Sequence, residues 1–125
     1  MCGRFVVSKT SDELASELEA KNNLQGQLPS FNIAPTQRVP MLLLSDSRLL
    51  TDACWGLVPQ WADKAPKTPL INSRIETILE KPSFRDAIRK TRAVIPASGY
   101  FEWKQSATGK QPVFIHSNKL LLFAA

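Results

Sequence analysis

Cys2 is the residue of this chain best suited to covalent chemistry. A small residue after Met1 favours removal of the initiator methionine, which leaves Cys2 with a thiol and an α-amine on adjacent carbons. The amine has a reference pKa of about 7.7–8.0 and is partly neutral at neutral pH, while the thiol is a strong nucleophile once ionised. Such a pair predicts capture of an aldehyde as a Schiff base that closes to a thiazolidine. The alternative is that Cys2 only begins a strand.

Four further segments contain motifs of polar and aromatic residues: 32–36 (NIAPT), 55–61 (WGLVPQW), 71–77 (INSRIET) and 99–104 (GYFEWK). In this order, after Cys-Gly-Arg-Phe at residues 2–5, they closely resemble the SOS response-associated peptidase (SRAP) family. The resemblance implies sensing of abasic sites in single-stranded DNA and covalent crosslinking to them, as part of the DNA damage (SOS) response. It implies no cofactor and no metal.

Asn72 and Glu102 are the predicted catalytic partners of Cys2. Glu102 stands between Phe101 and Trp103, and burial beside aromatic rings raises a carboxyl pKa into the range of a general acid/base. Loss of water from the carbinolamine and opening of the sugar ring need such a group. The resemblance makes Asn72 a residue that positions Cys2 or the opened sugar. Without it, Glu102 fits an exposed strand position and Asn72 fits a turn.

The resemblance and the residue chemistry together predict a DNA-binding set: Arg4, Asn32, Pro35, Trp61 and Arg74. Guanidinium groups match phosphate oxygens, so Arg4 and Arg74 are expected to bind the phosphates beside the lesion. Asn32 and Pro35 are expected to contact DNA or to line the pocket.

Two details of this DNA-binding prediction stay open. Period-two alternation along one strand would place Arg4 and Cys2 on the same face, and Glu76 is an alternative ion-pair partner for Arg74. Trp61 suits stacking on a base, but relatives often carry a second aromatic residue where this chain has Ala62. The extent of stacking is therefore undecided.

The charge balance fits a polyanionic partner. Sixteen basic and eleven acidic residues give a net charge of +5 over 125 residues, which favours nucleic acid without requiring it. No signal peptide or transmembrane run is apparent, and two cysteines without a secretory signal indicate a reducing cytoplasm. The expected partner is single-stranded DNA with abasic sites, with no membrane, no metal cluster and no evident obligate protein partner; the protein is expected to associate with the nucleoid when bound to DNA.

The residue pattern predicts a mixed α+β chain, and the resemblance implies a curved, barrel-like, mainly antiparallel sheet with a few flanking helices. A capping box at Thr10 and Glu13 predicts a helix with Leu14 and Leu18 on its buried face. A second helix is expected after Pro82, burying Phe84, Ala87 and Ile88 and exposing Arg85 and Arg89. The predicted strands are 4–8, 39–44, 49–55, 93–97, 101–104, 113–116 and 120–125, with loops at 28–40 and 59–69 and a corner at 118–119.

The end of the chain predicts an incomplete domain. Residues 120–125 form an apolar run with no following strand to pair with, so a single SRAP-like domain over 1–125 is expected to lack its C-terminal part. In the family that part carries a catalytic histidine in a motif resembling Ile-His-Asp-Arg-Met-Pro, which this sequence does not contain. His116 matches a different position and is not expected to be catalytic.

Three functions therefore remain open. The first is abasic-site crosslinking with SRAP-type thiol peptidase or lyase-like chemistry. The second is a cysteine-type peptidase that removes its own initiator methionine. The third is a binding module for single-stranded DNA whose catalysis is impaired by the missing part.

Overall fold

A curved sheet of seven strands dominates the computed structural model, which describes residues 2–25 and 28–125. Two short helices flank the sheet, so the predicted α+β class with a curved, mainly antiparallel sheet is confirmed. The strands are β1 (Arg4–Val7), β2 (Lys21–Asn22), β3 (Ser30–Ile33), β4 (Arg38–Leu44), β5 (Arg48–Cys54), β6 (Val94–Ser106) and β7 (Gly109–Ala124). The helices are α1 (Ser11–Glu17) and α2 (Arg85–Lys90). No helix in these ranges is long and apolar enough to cross a membrane.

The strand β6 organises the sheet. The strand order is β2-β5-β4-β6-β1-β3, and β7 pairs with β6 as well. Among the described pairs only β2–β5 is parallel. With 13 residues, β6 is long enough to pair with β4 near its start, at Leu42 and Val94, and with β1 further along, at Phe5 and Tyr100. The predicted catalytic residues lie on the second half of β6 or just before β1. The pairing of these two segments therefore fixes them side by side.

A hydrophobic core lies on one face of the curved sheet. Its buried members come from β1, α1, β3, β4, β5 and β6: Phe5, Val7, Leu14, Ala15, Leu18, Ile33, Val39, Leu42, Leu50 and Ala97. Each fully buried large side chain stabilises the fold by about 1.5–3 kcal/mol relative to an exposed one. Phe5 makes edge contacts with Trp55 and Phe123, at centroid distances of 5.2 and 6.3 Å. These ring contacts anchor β1 against β7 and against the residue that follows β5.

Several local predictions are confirmed by hydrogen bonds. The Thr10 backbone N–H donates to Glu13 Oε2 at 2.7 Å, and the Glu13 N–H donates to Thr10 Oγ1 at 3.3 Å, which completes the capping box. The face of α1 with Leu14 and Leu18 is buried. The strands predicted at 39–44 and 49–55 are present as β4 and β5, and they form a hairpin in which Leu44 pairs with Arg48.

The prediction of a continuous loop over 28–40 is wrong. Residues Ser30–Ile33 form β3, which pairs with β1 through Phe5 and Ile33. The prolines at 29 and 35 flank this strand and do not interrupt it, so they leave the ladder intact. The sequence between the two prolines holds only a short apolar pattern, and the free edge of β1 supplies the partner that stabilises it.

The C-terminal hairpin is longer and simpler than predicted. Residues 93–104 do not form two strands, because β6 runs through Gly99 without a break. The corner at 118–119 is also absent: β7 continues to Ala124, and the register only shifts, since Gly99 pairs with His116 while Ala97 pairs with Leu121. The apolar residues 120–125 are therefore paired with the start of β6.

The second helix is confirmed with a shifted start. α2 begins at Arg85 and Phe84 is its N-cap, so Pro82 lies before the helix and not in its first turn. Arg85 and Arg89 are exposed as expected, whereas the face predicted to be buried is only half-buried. Six residues bury little surface, so α2 contributes less to the core than α1 does.

Candidate active site

Cys2 lies just outside the sheet and against its core. β1 begins at Arg4, so the prediction that Cys2 and Arg4 share one strand and face is wrong. The Cys2 side chain is half-buried and packs on the hydrophobic core, while its Sγ donates a weak hydrogen bond to the Arg4 carbonyl oxygen at 3.5 Å. The thiol is thus held on the core side of the sheet rim, and Arg4 extends to the opposite side.

Glu102 shares the face on which Cys2 lies. Phe5 pairs with Tyr100, and Tyr100 packs on Phe123 within the core group at 5.8 Å. Two residues further along the same strand, Glu102 points to the same face by alternation, and it is half-buried there. This placement brings a carboxylate to the thiol of Cys2.

Burial and charge both act on that thiol. Burial raises the pKa of Cys2 above its ordinary value; a hydrogen bond with the Arg4 backbone opposes the rise, and the negative charge of Glu102 adds to it. Each effect follows from the rule that desolvation and a like charge disfavour the ionised form. The Cys2 sulfur therefore keeps its proton at neutral pH.

Asn72 reaches the same residue from a point 70 positions along the chain. Its Nδ2 donates to the Cys2 carbonyl oxygen at 2.7 Å, a contact that contributes about 0.5–1.5 kcal/mol. The loop bearing Asn72 is fixed next to it, because Trp55 Nε1 donates to the Ile71 carbonyl at 3.2 Å and Leu57 pairs with Leu70. The backbone of Cys2 is therefore clamped between β1 and this loop.

The predicted phosphate contacts lie at the edge of the site. Arg4 Nη1 donates to Asn32 Oδ1 at 3.2 Å, so the asparagine orients a guanidinium that keeps further N–H groups for a phosphate. Arg74 is exposed and, two residues after Asn72, lies within about 7 Å of it along the chain. In the described part of the chain no ion pair joins Arg74 to Glu76, so the alternative role for Glu76 is not supported.

Pro35 and Trp61 lie in turns outside the strands. Pro35 lies in the turn between β3 and β4, which is held by a hydrogen bond from the Thr36 N–H to the Trp55 carbonyl at 2.8 Å. Trp61 is 66% exposed in the loop after β5, as an aromatic stacking platform requires. The hydrogen bonds of the described residues connect neither Pro35 nor Trp61 to Cys2.

A family model described as "SOS response associated peptidase (SRAP)" matches residues 1–125 of the sequence. The chain belongs to the SRAP family. The resemblance drawn from five short motifs is thereby confirmed.

Named relatives and solved structures of similar sequence or fold support the SRAP assignment. Two bacterial relatives are each named an abasic site processing protein: YoaM of Bacillus subtilis is 36% identical over 99% of this chain, and YedK of Escherichia coli is 37% identical over 93%. HMCES of Gallus gallus, with the same description, is 36% identical over 70%. A solved structure of a Bacteroides thetaiotaomicron protein covers 98% of the chain with a TM-score of 0.82 and 27% identity.

This SRAP chain is shorter than those relatives. It spans 57% of the length of YoaM, 54% of YedK and 30% of HMCES. It also covers 58% of the solved Bacteroides structure. The chain thus spans a little over half the length of its bacterial relatives and less than a third of HMCES.

Sequence reasoning missed two hydroxyl groups in the SRAP motif at 71–77. The side-chain oxygens of Ser73 and Thr77 are buried and have no hydrogen-bond partner among the described residues. Their position after Asn72 in this motif was the only sequence signal for them. Within residues 2–25 and 28–125, no group of three or more His, Cys, Asp or Glu side chains is placed to hold a metal ion.

The geometry of the SRAP site predicts how the Cys2 thiol titrates. Because burial and Glu102 raise its pKa, alkylation of Cys2 by iodoacetamide should begin at a higher pH in the folded protein than in urea. Glu102→Gln removes the like charge and should shift this onset to lower pH. The measurement is the alkylation rate between about pH 7 and 11, in a Cys54→Ser background with Met1 retained. Equal onsets in folded, unfolded and Glu102→Gln protein would contradict the placement of Glu102 beside the thiol.

Proposed function

We propose that this chain recognises abasic sites in single-stranded DNA and links to them covalently through Cys2. The observation that carries the proposal is the convergence of the Asn72 amide on the Cys2 carbonyl and of the Glu102 charge on the Cys2 thiol. Relatives named abasic site processing proteins support the choice of substrate. A reduced thiol is required, which fits the reducing cytoplasm expected from the sequence.

The first chemical step is attack by the amine. Removal of Met1 frees the Cys2 nitrogen, whose lone pair forms a bond to the aldehyde carbon of the ring-opened abasic sugar. The nitrogen gives up one proton and the carbonyl oxygen takes up one, which yields a carbinolamine. The carbinolamine then loses its hydroxyl group together with the second nitrogen proton as water. Glu102 is the group placed to move these protons. The product is a Schiff base, and one water has been released.

The second step closes the ring. The sulfur of Cys2 forms a bond to the imine carbon, the electron pair of the C=N bond moves to nitrogen, and the thiol proton is transferred there through Glu102. No oxidant or reductant is consumed. Asn72 holds the Cys2 backbone so that both nucleophiles face one carbon, which is the entropic advantage of a fixed geometry.

The test of this proposal is the intact mass of the protein after incubation with a single-stranded oligonucleotide that carries one abasic site. The crosslink predicts a species with the summed mass of both molecules less one water, formed only by protein that has lost Met1. An autopeptidase predicts instead thiol-dependent cleavage of Met1 with no DNA adduct. An impaired binding module predicts reversible DNA binding without either product.

Three substitutions test the DNA-facing surface. Arg4→Ala and Arg74→Ala should each weaken binding to a single strand and lower the slope of log K against log salt by about 0.7, because each removes one phosphate contact. Trp61→Ala should weaken binding by about 1–3 kcal/mol with the slope unchanged, since stacking releases no counterions.

The measurement is fluorescence anisotropy of a labelled oligonucleotide over a salt titration. Arg89→Ala is the matched control, because Arg89 is an exposed arginine of α2 outside the predicted site. If the control weakens binding as much as Arg4→Ala and Arg74→Ala do, the binding reflects net charge alone and not this surface.

A further inference from the structure

A second concave surface lies on the face of the sheet opposite the core. It is a cleft of about 630 Å³ lined by residues of β1, β3, β6 and β7 and by Glu17 at the end of α1. A row of three rings crosses its floor: Phe101 and Phe114 have centroids 5.0 Å apart, and Phe114 and His116 are stacked at 5.3 Å with an interplanar angle of 19°. The cleft does not include Cys2.

The middle ring owes its position to a glycine. A Cβ atom at Gly99 would lie 2.4 Å from Phe114 Cζ and 2.8 Å from the Ile115 carbonyl oxygen, so any larger residue would displace the ring. Phe114 therefore lies directly over the backbone of β6. Its side chain is still 42% exposed, and Phe31 at the rim is 63% exposed. The cleft thus presents aromatic faces to solvent without a covering side chain.

The charge of the cleft complements a polyanion. Glu17 is the carboxylate in its described lining, and Lys9 Nζ neutralises it at 3.1 Å. Lys119 also lines the cleft and is the cationic side chain of its described lining outside this ion pair. Aromatic platforms beside cationic groups are the combination that binds single-stranded nucleic acid, since the bases stack and the phosphates are attracted.

The cleft continues the surface that carries Arg4. Arg4 pairs with Phe101 across β1 and β6, so the two side chains lie on one face about 5 Å apart at Cβ. A DNA strand held by Arg4 at a phosphate would pass directly onto Phe101 and then Phe114.

We infer that this cleft binds a base of the single strand next to the abasic site, with Phe114 as the stacking platform and Lys119 at a phosphate. The inference rests on the proposed function. It adds a base-binding subsite, on the face opposite Cys2, for the strand that leads to the reactive sugar.

The test uses anisotropy with a labelled oligonucleotide whose lesion is an unreactive tetrahydrofuran analogue. Phe114→Ala is expected to raise Kd by about 5- to 100-fold, the loss of one stacked base, with no change in the salt slope. Phe114→Leu, which keeps an apolar side chain over Gly99, should lose a similar factor. Lys119→Ala should lower the slope by about 0.7. Leu122→Ala, another exposed apolar residue of β7 outside the cleft, is the control and should bind as wild type.

A second set of oligonucleotides locates the stacked base. Each replaces one neighbouring base by a further tetrahydrofuran. One position should cost the wild type about the same factor as Phe114→Ala, and this loss should disappear in the Phe114→Ala protein, because the same contact cannot be lost twice. Independent losses, or full affinity in both Phe114 variants, would overturn the inference.

Two outcomes separate this inference from the proposed function. If the wild type crosslinks through Cys2 but its affinity is insensitive to Phe114, only the cleft assignment fails. If the wild type neither binds nor crosslinks abasic single strands, the proposed function fails and the inference with it. Self-association that is lost in Phe114→Ala, with DNA affinity unchanged, would identify a second copy of the chain as the occupant and would also overturn the inference.

Discussion

Cys2→Ala is expected to abolish the heat-stable adduct with abasic single-stranded DNA. Both bonds to the sugar come from Cys2, its amine for the Schiff base and its thiol for ring closure, so no other residue restores the thiazolidine. Cys2→Ser should leave a labile Schiff base, since a hydroxyl is a much poorer nucleophile than a thiol. The measurement is adduct yield on a denaturing gel after heating.

Cys54→Ala is the matched control for that experiment. Cys54 is exposed at the end of β5, and its Sγ donates a hydrogen bond to the Thr36 carbonyl oxygen at 3.2 Å. It does not belong to the group formed by Cys2, Asn72 and Glu102. It should crosslink at the wild-type level. A heat-stable adduct of full yield in Cys2→Ala would mean that another nucleophile captures the sugar.

Glu102→Gln is expected to slow crosslinking by about 10²- to 10⁴-fold, the usual contribution of a positioned general acid/base. Glutamine keeps the size of glutamate and much of its hydrogen-bonding capacity, but its amide cannot act as an acid or a base near neutral pH. The measurement is the single-turnover rate with excess protein, which reports on chemistry and not on binding. Affinity for the unreactive analogue should change little.

The control variant is Glu76→Gln, which removes an exposed glutamate of the motif at 71–77. Its rate should equal that of the wild type. If Glu102→Gln reacts as fast as Glu76→Gln does, the carboxylate only supports the local structure, and proton transfer during the reaction relies on solvent.

The elements that sequence patterns predicted well are those held by local contacts. The capping box of α1 needs only Thr10 and Glu13, three positions apart, and both of its hydrogen bonds are present. The β4–β5 hairpin is likewise set by two strand-length segments and the short polar turn between them. Neighbouring residues determine such features, so a single sequence is enough to find them.

The missed elements depend on distant partners. β3 has little pattern of its own and forms because the edge of β1 is available, with Ile33 opposite Phe5. Gly99 looked like a break between two strands, but it is the position that accommodates the ring of Phe114 from β7. Pairings between residues so far apart in the chain leave no local signal, and tertiary packing decides them.

The candidate site shows the same division. The motifs identified Cys2, Asn72 and Glu102 as residue types, and the structure brings all three to one end of β1. Asn72 donates to the Cys2 carbonyl from 70 positions along the chain. No sequence pattern predicted that these two residues would be in contact. The prediction that Cys2 shares a face with Arg4 extended the strand back to Cys2. The strand in fact begins two residues later, at Arg4.

The central claim is that both the amine and the thiol of Cys2 are bonded to the sugar, and one measurement tests it directly. The crosslinked protein is treated with borohydride and then, after unfolding, with iodoacetamide; nuclease and protease digestion then releases the N-terminal peptide for mass analysis. A thiazolidine predicts a peptide that begins at Cys2, carries the sugar remnant, and gains neither the two hydrogens of imine reduction nor an alkyl group on sulfur. A reduced or alkylated peptide, or a sugar remnant on any other residue, would contradict the account.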